Sequence, residues 1–417
     1  MHPYPEYKDS GVEWLGDIPS EWDIKPMFSV ARESKVSNKG MIEDNLLSLS
    51  YGRIIRKDIE TLGGLLPESF ETYQVVNKDD VIFRLTDLQN DKRSLRTAIC
   101  SERGIISSAY VAVTPRKIIP HYYSYLMRAY DELKVFYNLG SGMRQSLKYD
   151  ELKRLQITLP PEDTQNKMVS YLNHETARID NLIAEKQNFI NLLKEKRQAL
   201  ISHAFKIDLN AQCAKLGYFI DLLPGYAFKS EGFRHEPSGI RLLRGVNVGV
   251  NSLRWDEVVY WSEEKLDEMY EYEMRVGDIV FGMDRPWIKN GTRVAVVTES
   301  DIPSLLVQRV ARVRAKKGVL QDYIYYALSS DEFKSFTEAD LTGVSVPHIS
   351  PDQIKDFPLV QRGLKEQEKI VETLNVKTRK IDDLVKEVGD SIELLAEHRT
   401  ALISAAVTGK IDVRKQV

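Results

Sequence analysis

The sequence predicts an α+β chain in which two mixed α/β domains are each followed by a long helix. Three observations carry that expectation: an internal duplication at a fixed offset, a heptad pattern of apolar residues running through both copies, and short strand-sized apolar runs in the segments outside them. With 417 residues, 42% hydrophobic and 29% charged, the chain has ordinary globular composition and room for two or three domains.

The duplication comes first because it organises everything else. Residues 163–204 match 365–406 without a gap, an offset of 202, and 20 of the 42 positions are identical. Gln165 matches Gln367, Ile179-Asp180 matches Ile381-Asp382, and Ala199-Leu200-Ile201-Ser202 matches Ala401-Leu402-Ile403-Ser404. Both copies read as helices. Heptad spacing places Leu172, Ile179, Leu193 and Leu200, with Leu182 and Phe189, on one stripe of the first copy; Leu374, Ile381, Val388, Leu395 and Leu402, with Leu384, form it in the second. A flanking stripe (Ile183, Ile190; Val385, Ile392) widens each into a face that needs a partner, and two equal stripes on matching helices can satisfy each other in a coiled coil. Forty-two residues make a rod of roughly 60 Å. Pro160-Pro161 precedes the first helix, and Gly409 stands where a cap would close the second.

The boundaries follow: a first domain over 1–159, a long helix within 160–207, a second domain over 208–360 and a second long helix within 361–417. Both domains are rich in short strands. Val81-Ile82-Phe83 follows Lys78-Asp79-Asp80, and Ile279-Val280-Phe281 follows Val276-Gly277-Asp278, a turn entering a buried strand in each. Tyr110-Val111-Ala112-Val113 with Tyr122-Tyr123-Ser124-Tyr125-Leu126 parallels Val310-Ala311-Arg312-Val313 with Tyr323-Ile324-Tyr325-Tyr326, a strand and then an aromatic helix. The helices are nearly half identical while the domains share only this framework. A duplicated scaffold with unlike heads is what one expects if the helices meet two copies of one partner about a pseudo-two-fold axis and the heads read two different things.

Charge and chemistry narrow the class. The net charge of −3 gives no global signal for a polyanion, but Arg285 to Lys317 carries eight basic residues against Glu299 and Asp301. Cys100 and Cys213 are the only cysteines, too few for a disulfide framework or a thiolate metal site. No apolar run approaches the length of a membrane span and the N-terminus lacks a signal-peptide pattern, so a cytoplasmic location is expected. No catalytic constellation emerges. Gly140-Ser141-Gly142 is followed by Gln145 rather than a third glycine, Leu159-Pro160-Pro161-Glu162 lacks the polar and aromatic flanks of an amino-methyltransferase motif, and Pro351-Asp352 lacks the following acid and lysine of a nuclease. There is no phosphate loop, and the seven histidines are scattered.

Lys8-Asp9-Ser10-Gly11-Val12-Glu13-Trp14-Leu15-Gly16-Asp17-Ile18-Pro19 with Trp22, together with the helix endings Arg197-Gln198-Ala199-Leu200-Ile201 and Arg399-Thr400-Ala401-Leu402-Ile403, resembles the specificity subunits of type I restriction-modification systems, end to end. Gly277-Asp278-Ile279-Val280-Phe281 followed by Met283-Asp284-Arg285-Pro286-Trp287-Ile288 resembles one class of target-recognition domain in that family. The resemblance implies two target-recognition domains, each reading one half of a split, asymmetric DNA site. It implies that the helices form an antiparallel coiled coil that sets the unread spacer and docks two methylation subunits. The cofactors then belong to partners: S-adenosylmethionine for adenine methylation, ATP and Mg for restriction subunits that translocate and cut. This chain is expected to bind none of them and to be non-catalytic.

Affinity for DNA comes from Arg and Lys on phosphates, and specificity from Arg on guanine and Asn or Gln on adenine. The expected DNA contacts in the first domain are Arg84, Asn90, Lys92, Arg93, Arg96, Arg144, Gln145 and Lys148, from polar stretches between strands or just before the helix. In the second they are Arg241, Arg244, Asn247, Arg285, Trp287, Lys289, Asn290, Arg293 and His348. Two readings compete: a coiled-coil scaffold that recognises proteins, distinguished by the lack of salt-sensitive DNA binding, and a self-contained methyltransferase, distinguished by methyl-donor binding to the isolated chain.

Overall fold

The computed structural model describes residues 2–59, 69–86, 88, 95–138, 146–208, 210–237, 239–262, 269–288, 291–338 and 347–414. The chain packs as two compact units, residues 1–185 with 390–417 and residues 186–389. Each long helix, Glu162–Phe205 and Leu364–Val407, contributes one part to each unit.

Unit 1 is built on a four-stranded antiparallel sheet in the order Thr97–Ile99, Val81–Phe83, Val111–Pro115, Ala31–Ser34. Unit 2 repeats that order with Val294–Val296, Ile279–Gly282, Val310–Ala315 and Ile220–Pro224. The central runs Val81-Ile82-Phe83 and Ile279-Val280-Phe281 are fully buried, which is why they read as continuous apolar stretches with no alternation. The second sheets diverge. Unit 1 pairs Gly104–Ile106 antiparallel with Gln74–Val76, whereas unit 2 pairs Ser304–Leu306 parallel with Ile240–Leu243.

An aromatic helix packs on each sheet: Pro120–Glu132, whose Tyr122, Tyr123 and Tyr130 are buried, and Gln321–Ser329, whose Tyr323, Tyr325 and Tyr326 are buried. The residues that the two long helices share hold these helices in place. Gln165 accepts from the Ile119 N–H at 2.9 Å and donates to the Pro160 carbonyl; Gln367 does the same for Leu320 and Arg362. The Tyr125 hydroxyl donates to Asn173 at 2.8 Å and lies beside Thr176, and Tyr326 meets Asn375 at 2.7 Å and Thr378. Thus two further positions of the repeat, Asn173 with Asn375 and Thr176 with Thr378, are polar because a head is latched there.

Within each unit the long helices run antiparallel. In unit 1 Arg399 bonds Asp180 at 2.9 Å, while Thr158, just before the first helix, donates to the Val407 carbonyl at the end of the second. In unit 2 Arg197 bonds Asp382 at 3.0 Å and Arg362 donates to the Ala204 carbonyl. Leu172, Ile179, Leu193, Leu374, Ile381 and Leu402 are buried as the heptads expect. Leu182, Leu200, Val388 and Leu395 are half-buried. Phe189 and Leu384 are 46% and 42% exposed, so the expectation that they lie in the seam is corrected, while neighbouring Ile190 is buried. The reason is that each helix faces both its partner and a head, which turns the buried arc toward the flanking stripe. Past the second long helix, Gly409 takes φ +77°, and a Cβ there would lie 2.3 Å from Pro19. Lys410 caps the neighbouring turn by donating to the Leu15 and Asp17 carbonyls.

Candidate nucleic-acid interface

In unit 2 three segments are zipped together at one end of the central sheet. Met283 donates its N–H to the Arg309 carbonyl, Ile349 donates to Met283, and Arg285 donates to Pro347, all between 2.8 and 2.9 Å. Arg285 and Arg309 sit at φ +44° and +70°. A left-handed backbone costs a side-chain-bearing residue about 1 kcal/mol or more, and such strain concentrates at functional positions. Both arginines are exposed. The Asp284 carboxylate lies between two basic groups, His348 Nδ1 at 2.7 Å and Arg309 Nη1 at 3.5 Å. It orients both while leaving them accessible. Trp287 is half-buried in the short hairpin Trp287–Ile288 with Gly291–Thr292. Arg309 was absent from the expected contacts; its place in the basic run was visible, but its backbone conformation was not.

Other expected contacts prove to build the fold. Arg293 donates to the carbonyls of Val248, Asp284 and Gly245, and burial pulls its guanidinium below the usual range. Asn247 is buried, accepting from the Arg244 N–H and donating to the Arg254 and Glu257 carbonyls. Arg244 donates to Glu257. Arg241 donates to Ser300 and Ile302 and stacks over Trp255 at 4.5 Å. Asn247 is thereby corrected from surface to core, while Arg241, Arg244 and Arg293 stay half-buried with part of their bonding capacity engaged by the fold. Long polar side chains here serve open carbonyls in irregular segments, which sheet and helix ladders leave unpaired. Arg312 and Arg314 of the basic run are spent likewise, on the Glu271 carbonyl and on Asp278.

In unit 1 fewer of the expected contacts fall among the described residues. Arg84 is half-buried at the end of its strand. Arg96 is fully buried, donating to the Thr86 carbonyl, and its own N–H donates to Asp131; it is corrected from contact to core. Burial pushes the Asp131 carboxyl up to about 6. Lys148 is exposed on a groove of about 570 Å³ that Tyr73, Tyr110 and Tyr149 also line. Asn90, Lys92, Arg93, Arg144, Gln145, Lys289 and Asn290 lie outside the described residues.

Among the described residues no group of three His, Cys, Asp or Glu could hold a metal, and no helix is long and apolar enough to cross a membrane. Burial raises the Cys100 thiol to about 12, as suits a packing residue.

No family model matches the chain. It is 23% identical over 427 residues to the specificity subunit of the type I restriction enzyme MjaVIII of Methanocaldococcus jannaschii, covering 95% of this chain and 94% of that protein. To the specificity subunit of the type I enzyme EcoAI of Escherichia coli it is 29% identical over 237 residues, 55% of this chain and 37% of that protein. A solved chain from work on complex assembly and conformational transition of the type I R-M system superposes with a TM-score of 0.67 at 15% identity, covering 94% of this chain and 99% of that one. Related over nearly its whole length and alike in fold, the chain is a homologue of type I restriction enzyme specificity subunits.

Proposed function

We propose that this chain is the DNA-specificity subunit of a type I restriction-modification enzyme. Segments 1–159 and 208–360 are its target-recognition domains, each reading one half of a bipartite asymmetric site. The paired helices within 160–207 and 361–417 set the spacer and dock two methylation subunits, through which restriction subunits join. Catalysis and its cofactors, S-adenosylmethionine, ATP and Mg, belong to those partners.

The observation that carries this reading is the contrast between the repeat and the heads. Identical Gln, Asn and Thr residues latch each head to the helix that follows it, and identical Asp and Arg residues join the two helices, while the outer sheets and loops of the heads differ. One shared frame carrying two readers suits a site with two unlike halves. In unit 2 the reading surface is proposed to centre on Arg285, Trp287, Arg309 and His348, with Lys289 and Asn290 between them in sequence; in unit 1 it is proposed to include Lys148 with Arg84, Asn90, Lys92, Arg93, Arg144 and Gln145.

The test is a gel-shift titration of the chain assembled with its methylation subunits. Binding that depends on sequence in two separated blocks and falls steeply with salt is expected. Binding with no preference for any split site would sink the proposal.

A further inference from the structure

The long helices are alike in their seams and unlike in charge between residues 186 and 196 of the first and the matching residues of the second. At the offset of 202, Lys186, Asn188, Asn191, Lys194 and Lys196 of the first stand where the second has Val388, Asp390, Glu393, Ala396 and His398. Every one of these five exchanges moves the charge in the same direction. The seam residues around them, Ile190 with Ile392, Leu193 with Leu395 and Leu200 with Leu402, are identical, so helix pairing does not call for the difference. Asn188, Asn191 and Lys196 are exposed, as are Asp390 and Glu393.

In unit 2 the stripe Asn188, Asn191 and Lys194 forms part of one wall of a groove of about 430 Å³. Asn188, Asn191, Lys194 and Gln198 face Trp287 and Lys334 across it. Two carboxylates line it as well. Glu195 recurs as Glu397 and so does not distinguish the copies; Asp331 accepts from the Gln198 amide at 3.0 Å, which partly occupies it. Trp287 stands two residues after Arg285, so the groove continues the proposed reading surface onto the helix. Lysines and amides donate to phosphate oxygens whatever the base sequence, so such a wall grips a nucleic-acid backbone without reading it.

We infer that the first long helix, through Asn188, Asn191 and Lys194, holds the phosphate backbone of duplex DNA in the unread spacer beside the half-site of the second domain. The second helix, with Asp390 and Glu393 at the matching positions, makes no such contact, and the grip on the spacer is one-sided. This inference rests on the DNA-reading proposal above.

The test uses the chain assembled with its methylation subunits and duplexes carrying its split site. Asn188→Asp, Asn191→Glu and Lys194→Ala together rewrite the stripe as the second helix has it. Affinity should fall about tenfold at low salt, the slope of log K against log salt should shrink by about one to three phosphates, and the preference at both half-sites should stay unchanged. Uncharged methylphosphonates in the spacer beside the second domain's half-site should weaken the wild type and leave the variant unaffected. If the triple variant fails to assemble, Lys194→Gln alone should give a smaller loss, about threefold, in the same direction. Unchanged affinity and slope, or equal methylphosphonate effects at both ends of the spacer, overturn the inference. A wild-type complex without any split-site preference instead overturns the function on which it rests.

Discussion

The two units use the same cross-helix ion pair in different surroundings. In unit 1 Arg399 meets Asp180 with its side chain 32% exposed; in unit 2 Arg197 meets Asp382 with its side chain 10% exposed and also donates to Asn251, which accepts from Tyr325. The pair itself is copied, and what has changed is the head that covers it. The same pattern holds outward from the helices. The Gln and Tyr latches are duplicated, the four-stranded sheets keep one strand order, and divergence begins at the second sheet and the sheet ends. Difference therefore increases with distance from the shared frame, as suits a scaffold whose readers are free to change.

That comparison can be broken at several depths. The largest effect is expected in the seam. Ile179→Glu and Ile381→Glu bury a charge at positions 1% and 6% exposed and should each destabilise their own unit by about 4 kcal/mol or more, whereas Leu384→Glu, at an exposed position, should stay within about 0.5 kcal/mol. Chemical denaturation followed by circular dichroism separates these outcomes; an equal cost at Leu384 would show that the seam is misplaced. Next come the readers. Arg285→Ala or Lys289→Ala should weaken DNA binding of the assembled complex by about 1–3 kcal/mol if the residue reads a base, altering preference in one half-site only. An unchanged gel-shift titration would remove them from the reading surface.

Smaller effects compare the copied pairs. Arg197→Ala should cost about 2 kcal/mol and Arg399→Ala about 1 kcal/mol, because Arg197 is the more buried arginine and loses a bond to Asn251 in addition to the ion pair. Equal losses in thermal denaturation would mean that the head contributes nothing to the pair. The last concerns pH. Burial lifts the Asp131 carboxyl from 3.8 to about 6, so the native state takes up the proton before the unfolded state does as pH falls. Stability should then rise as pH drops from about 6 toward 4 and be lost as pH rises through 6. Asp131→Asn should remove this slope and add about 1 kcal/mol at pH 7, and a variant with an undiminished slope would contradict the assignment.

The frame was legible because periodicity records burial. Leu172, Ile179, Leu374 and Ile381 announce a helix seam through spacing alone, and Val81-Ile82-Phe83 announces a sheet centre by its unbroken apolarity. Phe189 and Leu384 misled because a heptad describes a helix with one partner, and these helices have two neighbours. The reading surface was harder to see. Nothing in the sequence separates Arg285, which is exposed, from Arg293, whose guanidinium closes three carbonyls, since those carbonyls lie in loops whose path only the fold defines. Arg309 was hidden for another reason: with Gln308 it forms a turn between two apolar strands, and its φ of +70° is not legible in the sequence.

The central claim is one frame with two independent readers, and the methylome of the host tests it most directly. With the chain present, genomic adenine methylation should mark a split motif that disappears when the chain is deleted. Substituting Arg285, Trp287 and Arg309 together should alter the bases required in one half of that motif and leave the other half and the spacer length as they were. A motif that survives the deletion, or a triple variant that alters both halves or the spacer, would contradict the account.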